Sequence, residues 1–173
     1  MDSRIHNVLF LCTGNSARSI LAEALMEHWG QGRFKGHSAG SFPKGEVNPL
    51  AIKLLSQFDM PVDRMRSKSW DEFARPGAPA MDFVFTVCDQ AAGEVCPVWP
   101  GRPITAHWGV PDPAAVEGKE ALKMLAFRQA FSQMERRIKL FIDVRLELSR
   151  REIERRVRDI GHIDEEATRD KGS

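Results

Sequence analysis

The feature that most constrains the fold lies near the start of the chain, where an apolar run is followed by a turn and then by helical spacing. Residues 7–12, NVLFLC, form a run that is apolar throughout after Asn7, as in a strand buried on both faces of a sheet. Residues 13–15, TGN, are turn formers, and apolar residues then recur at helical spacing between residues 19 and 29. This pattern predicts a strand, a tight loop and a helix.

The same alternation continues along the chain. Further strands are predicted at Phe34–Ala39, Met81–Val87 and Pro103–Ala106. A helix is predicted at Pro49–Phe58, with Asn48 as its N-cap and proline at its first position. Alternating strands and helices favour an α/β fold, and we expect a single domain with a central four-stranded parallel sheet and helices on both faces. Ligands of such sheets bind at the carboxyl ends of the strands.

The C-terminal part of the chain divides into an amphipathic helix and a charged extension. Apolar positions from residue 122 to residue 142 predict a long helix that packs on the sheet and closes the domain. We expect a domain over residues 5–148, followed over residues 149–173 by a charged helix and a flexible tail. Arginines and glutamates mix at helical spacing in Arg150–Arg158, which is typical of a solvated face.

Charge and cysteine content exclude several classes of function. The chain has 25 basic and 24 acidic residues, so no whole-molecule field favours nucleic acid or a membrane as partner. Its N-terminal apolar run is far shorter than the roughly 20 residues of a membrane span and lacks the features of a signal peptide, so we expect a cytoplasmic protein. Three cysteines are an odd number, and in a reducing compartment they rest as thiols, so chemistry is the better interpretation.

Cys12 and Arg18 bracket a loop suited to bind a tetrahedral oxyanion. Backbone N–H groups of the loop and of the helix start have no intrahelical partner, and the helix dipole adds partial positive charge. The arginine can bind two oxygens at once. We expect this field to lower the pKa of Cys12, with the Ser19 hydroxyl donating to the sulfur, and so to create a thiolate nucleophile. The expected oxyanion-binding residues are Thr13, Gly14, Asn15, Ser16, Ala17, Arg18 and Ser19.

The segment VLFLCTGNSARS resembles the signature loop of the low-molecular-weight protein tyrosine phosphatases and of the arsenate reductases built on the same fold. The resemblance extends from about Asn7 to about Ile142. It implies that Asp112, in the Asp-Pro pair of HWGVPDPAAVEG, protonates the leaving group as a general acid.

Three features favour the reductase branch of this family. Phosphatases usually carry aromatic residues after Asp-Pro to flank a phosphotyrosine ring, whereas this chain has Ala114 and Ala115 and contains no tyrosine. The segment VCDQAAGEVCPVWPG, with Cys88 and Cys96 eight residues apart, resembles the redox segment of the three-cysteine arsenate reductases. Residues 107–109, HWG, which stand before the Asp-Pro loop, also resemble that branch.

The resemblance implies a thiol relay. A second thiolate, from Cys88, displaces arsenite from the Cys12 adduct, and Cys96 then attacks Cys88 and carries the disulfide outward through a mobile loop. The order of attack by the last two cysteines stays open. No bound cofactor is expected; thioredoxin is the expected external reductant, and glutaredoxin with glutathione is the alternative. We expect a monomer that binds arsenate, with phosphate or sulfate as mimics, and neither nucleic acid nor a membrane.

Four further residues match supporting positions of the reductases. Asn15, Glu23 and Ser38 match residues that brace the loop and that in some relatives help to hold a potassium ion. Lys68 falls where those relatives have an acidic ligand, so its ammonium replaces the cation and we expect no potassium requirement. The simpler interpretations are a turn residue for Asn15 and a solvated helical charge for Glu23. The five histidines lack metal-ligand spacing, and no metal site is expected.

Two other functions stay open. A hydrolase acting on phosphate esters or phosphoproteins would use Cys12, Arg18 and Asp112, because phosphate and arsenate share shape and charge. A thiol sensor that binds arsenite would need neither the arginine nor the Asp-Pro acid, and the chain shows no DNA-reading helix pair. Serine at Cys88 and Cys96 would be tolerated by a phosphatase and would stop a reductase.

Overall fold

Four parallel strands form the centre of the molecule. The computed structural model of the protein describes residues 4–89, 93, 99 and 101–163. Within these residues the sheet has the order β2-β1-β3-β4 and every neighbouring pair is parallel. The strands are β1 (His6–Leu11), β2 (Phe34–Ala39), β3 (Phe83–Thr86) and β4 (Ile104–His107). The predicted α/β fold with a four-stranded parallel sheet is confirmed.

The strand bounds differ from the predicted ones at both ends of β3 and at β4. Met81 and Val87 are buried but lie in the loops that flank β3, because an apolar run reports burial and not pairing in a ladder. β4 begins at Ile104 and not at Pro103, since proline has no N–H to donate to β3.

Four α-helices lie in the described residues, and all four contribute buried residues to one core cluster on the sheet. They are α1 (Arg18–Gly30), α2 (Pro49–Gln57), α3 (Glu120–Ile142) and α4 (Arg150–Ile160), with short 3-10 turns at Trp70–Phe73 and Pro113–Ala115. The Asn48 side chain accepts a hydrogen bond from the Leu50 amide at 2.9 Å, so the predicted cap and the leading proline of α2 are confirmed. Ser149 caps α4 in the same way, by accepting from the Glu152 amide.

The alternation of side chains along β1 explains its continuous apolar sequence. Val8 and Phe10 point into a core cluster that includes the buried faces of all four helices. Leu9 and Leu11 point to the opposite face, where, among the described residues, they meet a smaller cluster with Phe73 and its neighbours. Both faces are therefore dry, and the strand has no position for a polar side chain between Val8 and Leu11.

The last helix contributes to the same core. Ile153, Val157 and Ile160 of α4 are buried, and the Trp108 indole N–H donates to the Val157 carbonyl at 2.8 Å. Only the remaining faces of this arginine-rich helix are solvated. The predicted flexible tail lies outside the described residues from residue 164 onward, and the division of the chain at residue 148 stays a prediction.

Among the described residues, no helix combines the length and the apolar character that a membrane crossing requires.

Candidate active site

The loop between β1 and α1 places Cys12 at the carboxyl end of a central strand, and Arg18 is the first residue of α1. Because β1 lies between β2 and β3, the segments that follow those strands flank this loop on both sides. The Cys12 residue is only 6% exposed and is reached through a cavity of about 240 Å³. The cavity is lined by Cys12, Thr13, Gly14, Ser16, Ala17, Arg18, Phe42, Lys44, Asp112 and Ala114.

Hydrogen bonds hold the loop in shape before any ligand binds. Asn15 has a positive φ of 44°; its side-chain amide donates to the Ser19 hydroxyl at 2.8 Å and accepts from the Lys68 amide at 2.9 Å. The Ser67 hydroxyl donates to the Gly14 carbonyl at 3.1 Å. Asn15 is thus both a turn residue and a link between the loop and a distant segment. The predicted hydrogen bond from the Ser19 hydroxyl to the Cys12 sulfur stays a prediction.

Gly40, directly after β2, packs against the back of the loop. A Cβ atom at this position would lie 2.7 Å from the Cys12 carbonyl oxygen and closer still to the Thr13 carbonyl oxygen. Only glycine fits such an approach of two backbones. The segment after β2 is therefore held against the loop that carries the nucleophile.

Arg18 and Asp112 meet at the rim of the cavity. The Arg18 guanidinium donates to the Val110 carbonyl at 3.0 Å and lies 3.7 Å from the Asp112 carboxylate. The same carboxylate accepts from the Ala114 amide at 2.9 Å, which fixes it at the start of the turn at Pro113–Ala115. Two groups 94 positions apart in the sequence thus line the same cavity as Cys12.

Cys88 lies beside Cys12. It follows β3, is buried, and its sulfur accepts a hydrogen bond from the Thr13 amide at 3.4 Å, with the Thr13 hydroxyl 3.6 Å away. Its side chain also shares a hydrogen bond with that of Cys12. The two thiols come together because β1 and β3 are neighbouring parallel strands whose carboxyl ends coincide. Cys96 and most of the predicted mobile loop lie outside the described residues.

The predicted lowering of the Cys12 pKa is wrong in this arrangement. The hydrogen bond with Cys88 and burial raise the pKa of Cys12 above its ordinary value, while the Arg18 guanidinium and the Gly14 amide act in the opposite direction. Once one thiol of a contacting pair has ionised, its charge opposes ionisation of the other, and a dry surrounding disfavours a thiolate. The sequence-based interpretation included the loop and the helix start but not a second sulfur 76 residues further along the chain.

The predicted supporting residues come together behind the loop. Lys68 is 8% exposed, and its ammonium lies 3.6 Å from the Glu23 carboxylate, 3.4 Å from the Ser38 hydroxyl and 3.0 Å from the Arg66 carbonyl. The Ser38 hydroxyl donates to Glu23 at 3.0 Å. Burial raises the pKa of Glu23 and lowers the pKa of Lys68, and their mutual attraction opposes both changes. In the part of the chain that the structure describes, no group of three or more histidine, cysteine or acidic side chains is arranged to hold a metal.

Two residues at the rim of the cavity were missed by the sequence analysis. Phe42 is 75% exposed and Lys44 is also exposed, and both line the cavity from the segment between β2 and α2. They accompany no recognised motif. The signal that locates them is topological, because the segment after β2 reaches the same edge of the sheet as Cys12.

A buried thiol at the end of a parallel strand, with an arginine in the next helical turn, is the arrangement of enzymes that form covalent thiol adducts with tetrahedral oxyanions. Residues 7–158 match the low molecular weight phosphotyrosine protein phosphatase family, and the chain belongs to this family.

Its relatives include several arsenate reductases. The chain is 35% identical to the arsenate reductase of Halalkalibacterium halodurans over 136 residues, covering 79% of this chain and 94% of that protein. It is 33% identical to the arsenate reductase of Bacillus subtilis over 143 residues, covering 83% and 98%.

Solved structures similar to this chain also include arsenate reductases. An arsenate reductase from Archaeoglobus fulgidus matches with a TM-score of 0.62 at 26% identity, covering 79% of this chain and 99% of that one. A thioredoxin-dependent arsenate reductase from Corynebacterium glutamicum matches with a TM-score of 0.57 at 26% identity. That match covers 80% of this chain and 61% of the Corynebacterium chain.

Proposed function

We propose that the protein is an arsenate reductase that reduces arsenate to arsenite through a covalent adduct on Cys12. The single observation that carries this proposal is the buried contact between the Cys12 and Cys88 thiols at the edge of an oxyanion-binding loop. A phosphatase needs one thiol, whereas reduction of arsenic by two electrons needs two thiols that become a disulfide.

In the first step, the Cys12 sulfur bonds to arsenic and an arsenate oxygen leaves as water. Arg18 neutralises the oxyanion, and Asp112, 3.7 Å from Arg18 at the cavity rim, delivers the proton to the leaving oxygen. Contact with Cys88 raises the Cys12 pKa. The oxyanion therefore has to separate the two thiols when it binds, or it has to accept the Cys12 proton itself.

In the second step, the Cys88 thiolate attacks the Cys12 sulfur. An S–S bond forms, the As–S bond breaks, and its electron pair leaves with arsenic as arsenite. The Thr13 amide, 3.4 Å from the Cys88 sulfur, stabilises negative charge on the attacking atom. Cys96 then attacks Cys88, which frees Cys12 and leaves a Cys88–Cys96 disulfide.

The external reductant supplies two electrons to that disulfide. Thioredoxin is our proposal, because a relay within the chain already provides the second and third thiols and a relative from Corynebacterium glutamicum is thioredoxin-dependent. Glutaredoxin with glutathione is the alternative. We also propose that the protein is cytoplasmic, where either reductant is available.

The test measures arsenite formed from arsenate by the purified chain with thioredoxin, thioredoxin reductase and NADPH. Wild type should turn over many times. Cys12→Ser should form no adduct, Cys88→Ser should release no arsenite, and Cys96→Ser should stop after about one equivalent. If wild type forms no arsenite with this system or with glutaredoxin and glutathione, the reductase proposal is wrong.

A phosphatase activity through Cys12, Arg18 and Asp112 is the second candidate. The observation that favours it is Phe42, whose exposed ring at the cavity rim offers a contact to an aromatic substrate. This ring comes from the segment after β2 and not from the Asp-Pro loop. Hydrolysis of an aryl phosphate that is lost in Cys12→Ser, kept in Cys88→Ser, and accompanied by no arsenite formation would establish it.

A further inference from the structure

The Lys44 side chain lies across Gly14 at the rim of the cavity. The Lys44 amide donates to the Gly14 carbonyl at 2.9 Å. A Cβ atom placed on Gly14 would lie 3.2, 3.3 and 3.5 Å from the Lys44 Cε, Cγ and Cδ atoms. The methylene chain therefore runs along the backbone of the oxyanion loop, and Lys44 lines the cavity together with Cys12 and Arg18.

Without Lys44, the cavity has too little positive charge to balance a bound oxyanion. The Arg18 guanidinium is already engaged by the Val110 carbonyl and lies within 3.7 Å of the Asp112 carboxylate. Its positive charge is thus partly offset before a ligand enters. A phosphate group carries about 1.5 to 2 negative charges at neutral pH, and arsenate has the same shape and charge. Beside the partial charges of the loop N–H groups and of the helix start, one offset guanidinium leaves much of that charge uncompensated.

Lys44 is available to supply the missing charge. Among the described residues, no carboxylate lies within ion-pair distance of its ammonium. Its backbone position is fixed by the hydrogen bond to Gly14, so only the outer part of a flexible side chain has to be ordered when an anion binds. An ammonium bound to an oxyanion forms a charge-assisted hydrogen bond.

We propose that Lys44 is a substrate-binding residue whose ammonium supplies the second positive charge for a dianionic tetrahedral oxyanion held above Cys12. The assignment of the oxyanion as arsenate rests on the proposed function, whereas the charge requirement holds for phosphate as well. Gly14 leaves room for this close approach, because a Cβ atom there would require the lysine side chain to shift by a few tenths of an ångström.

The test compares wild type with Lys44→Gln, Lys44→Arg and the control Lys35→Gln, which removes an equal charge from an exposed position on β2 outside this cavity. The readout is the protection of Cys12 from iodoacetamide by inorganic phosphate. Mass spectrometry of the Cys12 peptide at constant ionic strength follows this protection and gives the Kd of phosphate. Thermal unfolding of each variant verifies that it is folded.

Lys44→Gln should raise the Kd of phosphate about 5- to 20-fold, while Lys44→Arg and Lys35→Gln stay within about 3-fold of wild type. The KM for arsenate should rise by a similar factor, with a smaller change in kcat. The reason is that the Lys44 ammonium interacts with the oxyanion both in the bound substrate and in the transition state.

The outcomes separate this inference from the proposed function. If phosphate protects wild type and Lys44→Gln equally, the Lys44 assignment is overturned and the reductase proposal is untouched. If Lys44→Gln weakens protection but wild type forms no arsenite, the Lys44 assignment is supported and the reductase proposal fails. If phosphate does not protect wild type at all, the Lys44 assignment is overturned, and the arsenite measurement alone decides the reductase proposal.

Discussion

The Thr13 amide donates a hydrogen bond to the Cys88 sulfur across 3.4 Å, although the two residues are 75 positions apart in the chain. The bond joins the oxyanion loop after β1 to the segment after β3. It places a donor on the sulfur that we propose as the attacker of the Cys12 adduct, and the Thr13 hydroxyl, 3.6 Å away, is a second polar neighbour of that sulfur.

Thr13→Val removes the hydroxyl and keeps the shape and the amide. We expect arsenite release in a single turnover to slow about 3- to 10-fold, because a thiolate on Cys88 loses a stabilising contact. The rate of Cys12 adduct formation should change less. Thr105→Val, on β4 outside the cavity, is the matched control. An equal loss in both variants would contradict the role of Thr13.

Cys88→Ala should lower the pKa of Cys12. The hydrogen bond with Cys88 is the largest cause that raises this pKa, and its removal leaves Arg18 and the Gly14 amide to favour the thiolate. The pH dependence of Cys12 alkylation by iodoacetamide measures the change, and we expect the alkylation profile to shift toward acid. Alanine is preferred to serine because serine keeps a hydrogen-bonding group. An unchanged or higher pKa would show that burial alone controls Cys12.

Lys68→Gln should destabilise the fold by about 2 to 4 kcal/mol, because it leaves the Glu23 carboxylate buried without its cation. The double variant with Glu23→Gln should lose less than the sum of the single changes. Urea unfolding of the four proteins gives this comparison.

Lys68 also allows a test of the expectation that the protein does not require potassium. Wild-type stability and activity should be equal in KCl and NaCl at the same ionic strength, because the Lys68 ammonium lies among Glu23, Ser38 and the Arg66 carbonyl. Lys68→Asp should gain stability from potassium relative to sodium. A potassium requirement in wild type would contradict the proposed replacement.

His37 should make the fold sensitive to acid. Burial, and to a smaller extent Lys35 and Lys68, lower the pKa of His37 from 6.5 to about 4. Since the folded pKa lies below the unfolded one, the stabilising contribution is complete above about pH 6.5 and is lost as the pH falls toward 4. One pKa unit corresponds to about 1.4 kcal/mol, and partial exposure of the ring reduces the effect to about 1–2 kcal/mol.

The His37 prediction is measured by urea unfolding at pH 7.5 and 4.5. His37→Gln should lose less stability than wild type between these values, whereas His28→Gln, at an exposed position on α1, should behave as wild type. Equal pH dependence in wild type and His37→Gln would contradict the assignment.

Val157→Ala should destabilise the protein by about 1–3 kcal/mol, since the side chain is fully buried in the core that α4 completes. Arg151→Ala, at an exposed position of the same helix, should change stability by less than about 0.5 kcal/mol. Thermal or urea unfolding distinguishes the two, and equal small effects would show that α4 is separable from the domain.

The sequence by itself determined the fold class and the nucleophilic loop. The continuous apolar run of β1, the turn residues after it and the helical spacing of α1 are local features, and together they require a strand, a loop and a helix in that order. The N-cap and proline of α2 were equally readable, because a helix start depends on residues that are adjacent in the chain.

Only the tertiary structure decided how the residues of the site act on one another. It placed the Cys88 thiol against Cys12, which reversed the expected direction of the Cys12 pKa, and it brought Phe42 and Lys44 to the cavity rim. It also gave α4 a buried face where the sequence indicated a solvated one. The physical reason is that pKa values and burial depend on distances between atoms, and the order of parallel strands in a sheet sets those distances for residues far apart in the sequence.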